Sequence, residues 1–312
     1  MVARLILAAL FLWVADAQAQ DMPTLTLGIG DRTGFAPLVL AEKQGLFKKH
    51  GADVQVKVIG QQDRLAALTS GVVQGVAATV DTIVVWTGSV RLSQVLVLDR
   101  SKGADGVMVR TGIANLQDLK GKTIAAGAPG TPSYYFLAYA LIANRMSLKD
   151  VKLRTLSPEA AMQAFVAGQV DGASLYEPYM SRVRAQPGTG SLLVSTADFP
   201  IVCDTLAFQP DYLSQHKAAV AAVVAGWFDA LALIQSDPDK SFLIMGAAAG
   251  QSADAFKGAA RSVDWIGHKT NQGMMDGVLQ DLAHTATEIQ VQAGVLRKAP
   301  STSRLVDASF VD

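Results

Sequence analysis

Two stretches decide how this chain folds: "AALTSGVVQGVAAT", residues 66–79, and "QAFVAGQVDGASLY", residues 163–176. A displacement of 97 residues lays one on the other without a gap. It sets Gly71 on Gly168 and Gly75 on Gly172. The same displacement carries "LGIG", residues 27–30, onto "IAAG", residues 124–127, and Asp53-Val54 onto Asp150-Val151. One offset that holds across several elements marks an internal repeat. Each copy reads as strand (25–29; 123–126), Gly/Pro/Thr-rich loop, helix (37–47; 133–144), strand (54–59; 151–156), helix (63–70; 160–167) and strand (75–79; 172–176). Gly71 and Gly168 stand where a helix ends in a left-handed residue. Strands alternating with helical patterns predict right-handed βαβ units on a parallel sheet.

The connections extend this to the whole chain. "SQVLVLDRSKGADGVMVRT", residues 93–111, and "GSLLVSTADFPIVCDTLAFQP", residues 190–210, each carry two β-rich apolar runs. From residue 211 the pattern is helical. It is led by "HKAAVAAVVAGWFDALALIQSDP", with a Ser-Asp-Pro stop, and these helices are expected to cover the first lobe. The fold class predicted is α/β: a two-lobed clamshell, each lobe a βαβαβ-based sheet with helices on both faces, joined by two hinge crossovers.

At the N-terminus Arg4, an apolar run over 5–14 and Ala17-Gln18-Ala19 fit a secretory signal peptide (residues 1–19) cleaved after Ala19. Lobe 1 is then expected over 20–104 and 207–312, and lobe 2 over 105–206. No other run reads as long and apolar enough to cross a membrane. The 27 basic residues balance 27 acidic ones without a basic block, which argues against a nucleic-acid partner. The single cysteine, Cys203, excludes an internal disulfide and any cysteine-cluster metal site. Gly121-Lys122-Thr123 is no phosphate loop: Leu116 stands where the first glycine belongs, and a strand follows instead of a helix.

"GFAPLVLAEKQGLFKKHGADVQV" (34–56), "DLKGKTIAAGAPGTPSYYFLAYAL" (118–141) and "AFVAGQVDGASLYEPYMS" (164–181) carry a family likeness. Over residues 24–269 the chain resembles the bacterial periplasmic solute-binding proteins of ABC importers. The subgroup is the one for nitrate, aliphatic sulfonates, taurine and thiamine-pyrimidine precursors. The resemblance implies a type II binding-protein fold, a periplasmic location, a small-molecule solute between the lobes and delivery to membrane permease subunits. The two crossovers, with no heptad or repeat array, suggest a monomer.

Open parallel sheets bind ligands beyond the carboxyl ends of their strands. The candidates there are Arg32, Thr33 and Phe35 in the first βα loop, Gln61, and Thr131, Ser133 and Tyr134 in the equivalent second-lobe loop. Tyr176 and Glu177 follow at the end of the last repeat strand, with Asp81, Asp99 and Asp204 at strand ends or crossovers. Thr131 and Ser133 are expected to supply donors at a helix start. The acidic positions favour a nitrogen-containing solute, a pyrimidine-like heterocycle or an aminosulfonate such as taurine. Nitrate, bicarbonate or an alkylsulfonate is the alternative.

Catalysis finds little support. The four histidines (His50, His216, His268, His284) form no His-Glu-x-x-His pair, and there is no Gly-x-Ser-x-Gly elbow. A related eukaryotic branch makes the thiamine pyrimidine with a cysteine-rich motif that one cysteine cannot supply. No cofactor or metal is expected; a sensor subunit or an enzyme on the same fold remains the lesser alternative.

Overall fold

The computed structural model describes residues 22–302 and 304–311; the expected signal peptide and its cleavage site lie outside them. The strands in chain order are β1 (Thr24–Ile29), β2 (Asp53–Val58), β3 (Gly75–Thr79), β4 (Ser93–Ser101), β5 (Asp105–Val109) and β6 (Thr123–Ala126). Then come β7 (Lys152–Thr155), β8 (Gly172–Tyr176), β9 (Ser191–Ser195), β10 (Cys203–Phe208) and β11 (Val263–Trp265). They form two sheets, ordered β11-β4-β10-β3-β1-β2 and β7-β6-β8-β5-β9. In each sheet three repeat strands run parallel, and a fourth joins them antiparallel: β10 against β3, β5 against β8. The chain passes from β4 in the first sheet to β5 in the second and returns from β9 to β10, so two crossovers join the lobes.

The repeat is visible residue by residue. β3 and β8 keep the 97-residue displacement, as do helices Gln61–Thr69 and Pro158–Val166. Both helices end at a left-handed glycine, Gly71 (φ +77°) and Gly168 (φ +78°). β3 and β8 are buried along their whole length, at the centre of their sheets. A Cβ on Gly75 would stand 2.4 Å from the Phe208 ring, and one on Gly172 would stand 2.9 Å from Ile124 Cδ1. Close approach of neighbouring side chains therefore demands both glycines.

Three expectations are corrected. Left-handed Gly45 (φ +66°) divides the helix expected over 37–47 into Ala36–Lys43 and Leu46–Lys49. β10 pairs in the first sheet from Cys203 onward, so the chain recrosses before 203 and not at 206. Helix Lys217–Ser236 is long and apolar enough to span a bilayer by length and composition. Its apolar face instead packs on helices Ala36–Lys43 and Leu46–Lys49, with Val220, Val223 and Trp227 fully buried. Each such side chain contributes about 1.5–3 kcal/mol of burial.

The C-terminal helices cover more than the first lobe. Helix Leu279–Gln292 packs against Val80–Trp86 of the first lobe and also against Pro132–Ala143 of the second.

Candidate functional site

A cavity of about 350 Å³ lies between the lobes, lined by loop 60–63 of the first and by loops 127–133 and 155–158 and Tyr176 of the second. It has the size of a small-molecule site. Three helices begin on it: Gln61–Thr69, Pro132–Ala143 and Pro158–Val166, with N-caps Gly60, Thr131 and Ser157. Prolines at the first helical positions of the last two have no N–H to lose and preset the helical φ. The first-turn N–H groups of a helix have no intrahelical partner and carry the positive end of its dipole. Three such ends on one cavity make its walls rich in donors. Among the described residues lining it there is no lysine or arginine, and Asp63 is the one carboxylate.

The hydroxyls divide unequally. Ser133 Oγ accepts from Gly127 N at 3.0 Å, which leaves its own proton to donate. Thr131 has nothing left to give: its N–H (3.1 Å) and its hydroxyl (2.7 Å) both donate to Ala128 O. It closes the turn at Gly130 (φ +85°) and does not supply the donor expected of it. Gln61 Nε2 donates to Thr82 Oγ1 at 2.9 Å. Tyr176 lines the cavity and donates its hydroxyl to Asp31 Oδ1 at 3.0 Å; Tyr179 donates to Asp31 Oδ2. Burial, then the Asp31 charge, holds the Tyr176 phenol well above its usual range, so it stays a neutral donor. These two bonds tie the first lobe to the second.

The other candidates gather elsewhere. Arg32 is bidentate to Asp105 (2.9 and 2.9 Å), donates from Nε to Asp204 Oδ2 at 3.1 Å, and lies 4.8 Å over the Tyr176 ring. Burial alone would lower its pKa; Asp105 and Asp204 more than offset this and hold it well above normal. Arg32 is thus committed to carboxylates of its own chain and is not free for a ligand anion. Asp99 stands opposite Asp204 on the neighbouring strand. Burial, with Asp204 beside it, pushes Asp99 well up. Burial also raises Asp204, and it raises Asp81 to about 7. Neither Asp81 oxygen has a well-formed hydrogen bond, and the nearby Thr79 hydroxyl only partly offsets its burial. Thr33 N donates to Glu177 O at 3.4 Å. The Glu177 carboxylate accepts from Arg184 Nη1 (2.6 Å) and Ser181 N (3.0 Å), turned into its own lobe. Phe35 is fully buried in the first-lobe core. Tyr134 is buried and directs its hydroxyl to Ala293 O at 3.5 Å, away from the cavity.

Of the twelve candidates, then, Gln61, Thr131, Ser133 and Tyr176 meet at the cavity. Arg32, Thr33, Asp81, Asp99 and Asp204 meet at the hinge, with Glu177 at its edge. Three residues the sequence reading passed over are prominent. Ser157 caps the third converging helix, accepting from Ala160 N at 3.3 Å. The repeat displacement itself places Gly60 on Ser157 and would have found it. Asp31 lies in the first βα loop that the sequence singles out and Asp105 does not, but the role of each comes from a partner in the opposite lobe that sequence does not show.

The arrangement is the two-lobed periplasmic-binding-protein fold, with its cavity where such folds hold a ligand. The family model described as NMT1-like matches residues 18–245, and the chain belongs to that family. Among curated relatives, a candidate aliphatic sulfonates-binding protein of Escherichia coli (strain K12) is 27% identical over 262 residues, 80% of each chain. The taurine-binding periplasmic protein of the same organism is 26% identical over 239 residues, 75% of this chain and 72% of that one. Among solved structures, the periplasmic aliphatic sulphonate binding protein SsuA from Escherichia coli superposes with a TM-score of 0.77. It is 20% identical and covers 91% of this chain and 97% of that one.

Proposed function

We propose that this chain is the periplasmic solute-binding subunit of an ABC importer and takes a small organic sulfonate between its lobes. The observation that carries the reading is the convergence of three helix N-termini on one cavity whose lining has no cationic side chain. Backbone N–H groups and the Ser133 hydroxyl can surround a sulfonate's three oxygens, and the helix dipoles favour its charge. Of the acidic groups that suggested a nitrogenous heterocycle, Asp204 is held by Arg32 and Glu177 by Arg184, Asp81 and Asp99 are buried, and none of the four lines the cavity. Asp63 remains at the cavity and suits the ammonium of an aminosulfonate such as taurine. The names of the two Escherichia coli relatives point to the same solute class. Closed on its solute as a monomer, the protein would deliver it to the membrane permease.

The test is a thermal-shift panel of taurine, ethanesulfonate, nitrate, bicarbonate and a pyrimidine. At about a hundred times its dissociation constant a ligand adds roughly 2.7 kcal/mol of stability. A shift with either sulfonate and none with the pyrimidine is expected. A shift with the pyrimidine alone overturns the reading.

A further inference from the structure

Asp99 on β4 and Asp204 on β10 are direct cross-strand partners on the two strands through which the chain leaves and re-enters the first lobe. Each is 1% exposed. One Asp204 oxygen accepts from Arg32, but Asp204 Oδ1 and Asp99 Oδ2 have no hydrogen-bond partner. Arg32 is already bidentate to Asp105, so one guanidinium serves three carboxyl groups, with Asp81 as a fourth nearby. Two adjacent buried carboxyls cannot both ionise without a compensating charge.

What could compensate is limited by space and by sign. The void beside the pair measures about 10 Å³, the lower limit for one water. Arg32 lines the same void, so a metal cation would meet both too little room and a fixed positive charge. A proton meets neither obstacle. Among the remaining neighbours the buried Arg64 guanidinium feels the Asp204 charge but spends its N–H groups on Ala77 O and Ile59 O, and the others supply no charge. Glu177 is held by Arg184, and Arg100 turns outward to Asp264 at 3.1 Å. The buried Cys203 thiol is pushed up by burial and stays neutral. Trp265 faces Asp99 from β11, and Thr33 Oγ1 is an unpartnered hydroxyl at the void.

We propose that the hinge holds a proton shared by Asp99 and Asp204, and that this proton keeps the lobes closed. Asp99 lies under the loop that carries Arg32: a Cβ on Gly34 would stand 2.0 Å from Asp99 Oδ2. The far end of Arg32 grips Asp105 in the second lobe. Removing the proton sets two carboxylates against each other beneath that loop. The repulsion is relieved when water reaches the pair, and the void beside it is walled by Ala104 and by Glu177 of the second lobe, so parting the lobes opens it to water. Burial raises both groups; Asp204 raises Asp99 further, whereas the hydrogen bond from Asp99 lowers Asp204, which agrees with a proton carried on Asp99 and directed at Asp204 when the lobes are shut.

The proposal does not depend on which solute is bound and is tested without one. Small-angle scattering is measured from about pH 5 to pH 9 on Asp81→Asn, which silences that group's own titration, and on Asp81→Asn/Asp99→Asn. The radius of gyration of the first should rise with pH, and that of the second should stay level. The same expansion in both, or none in either, overturns the coupling. Infrared spectroscopy of the Asp81→Asn protein guards against a misfolded double variant. A protonated-carboxyl band should persist at neutral pH, and its absence overturns the shared proton itself.

Discussion

Arg32 lies 73 residues before Asp105 and 172 before Asp204, and both carboxylates reach it. A loop arginine beside a predicted cleft reads as a ligand contact because sequence shows its neighbours in the chain and not its partners in space. Ser133 was easier to place, since its role follows from a position two residues past the N-cap of a helix that begins after a strand. Its neighbour Thr131 shares that setting but spends both donors on Ala128 O. The two should therefore separate on mutation. Ser133→Ala is expected to weaken sulfonate binding by about 1.5–3 kcal/mol, the cost of one hydrogen bond to a charged group, and also to lower the melting temperature by leaving the buried Gly127 N–H without its acceptor. Thr131→Ala should act mainly through the turn it closes, lowering the melting temperature of the free protein. Calorimetric titration with taurine, paired with thermal unfolding of the unliganded protein, reads both. Equal loss of affinity with unchanged melting in the two variants would contradict the division.

At the scale of the element, the parts of the fold legible in sequence were those with local causes. β3, β6 and β8 fall where small buried runs and flanking turns predict them. Helix Ala36–Lys43 ends short of the expected 47 because Gly45 turns left-handed, which the apolar residues on either side of it do not announce. The end of lobe 2 is hard to read because β-rich runs reveal a strand but not which sheet receives it, and β10 joins the first sheet from Cys203. Two glycines of one repeat unit make the local causes measurable. A Cβ on Gly71 would meet nothing within 4 Å, so Gly71→Ala should cost only the left-handed backbone strain, about 1–2 kcal/mol. On Gly75 it would meet Phe208 at 2.4 Å, and Gly75→Ala should add an overpacking penalty of roughly 1–3 kcal/mol. Urea denaturation midpoints check the order; a larger loss at Gly71 would reverse it.

Across the whole molecule, buried carboxyls make stability depend on pH. Asp81 has its pKa raised by burial from 3.8 to about 7, so between those values the folded protein holds a proton that the unfolded chain releases. Its contribution is complete below the unfolded value and is lost as pH rises through the folded one, on the order of 4 kcal/mol in all. Asp81→Asn should flatten that part of the stability profile, measured as urea midpoints at about pH 4.5 and pH 8. An unchanged slope would mean that the carboxyl reaches water in the native state. Helix Leu279–Gln292, which rests on Val80–Trp86 and on Pro132–Ala143 at once, adds a mechanical consequence. A helix that bridges both lobes is placed as the fulcrum for movement between them. A lobe pivoting against it can move its contact surface there only slightly, by side chains sliding within a packed interface. The cavity loops are tied into the same contact, since Tyr134 donates to Ala293 O just past that helix and Thr82 of Val80–Trp86 donates to Gly130 O, so a slip there is passed directly to the mouth. Side chains of helix Leu279–Gln292, none of which lines the cavity, would then set how far the jaws swing and how quickly a captured molecule escapes.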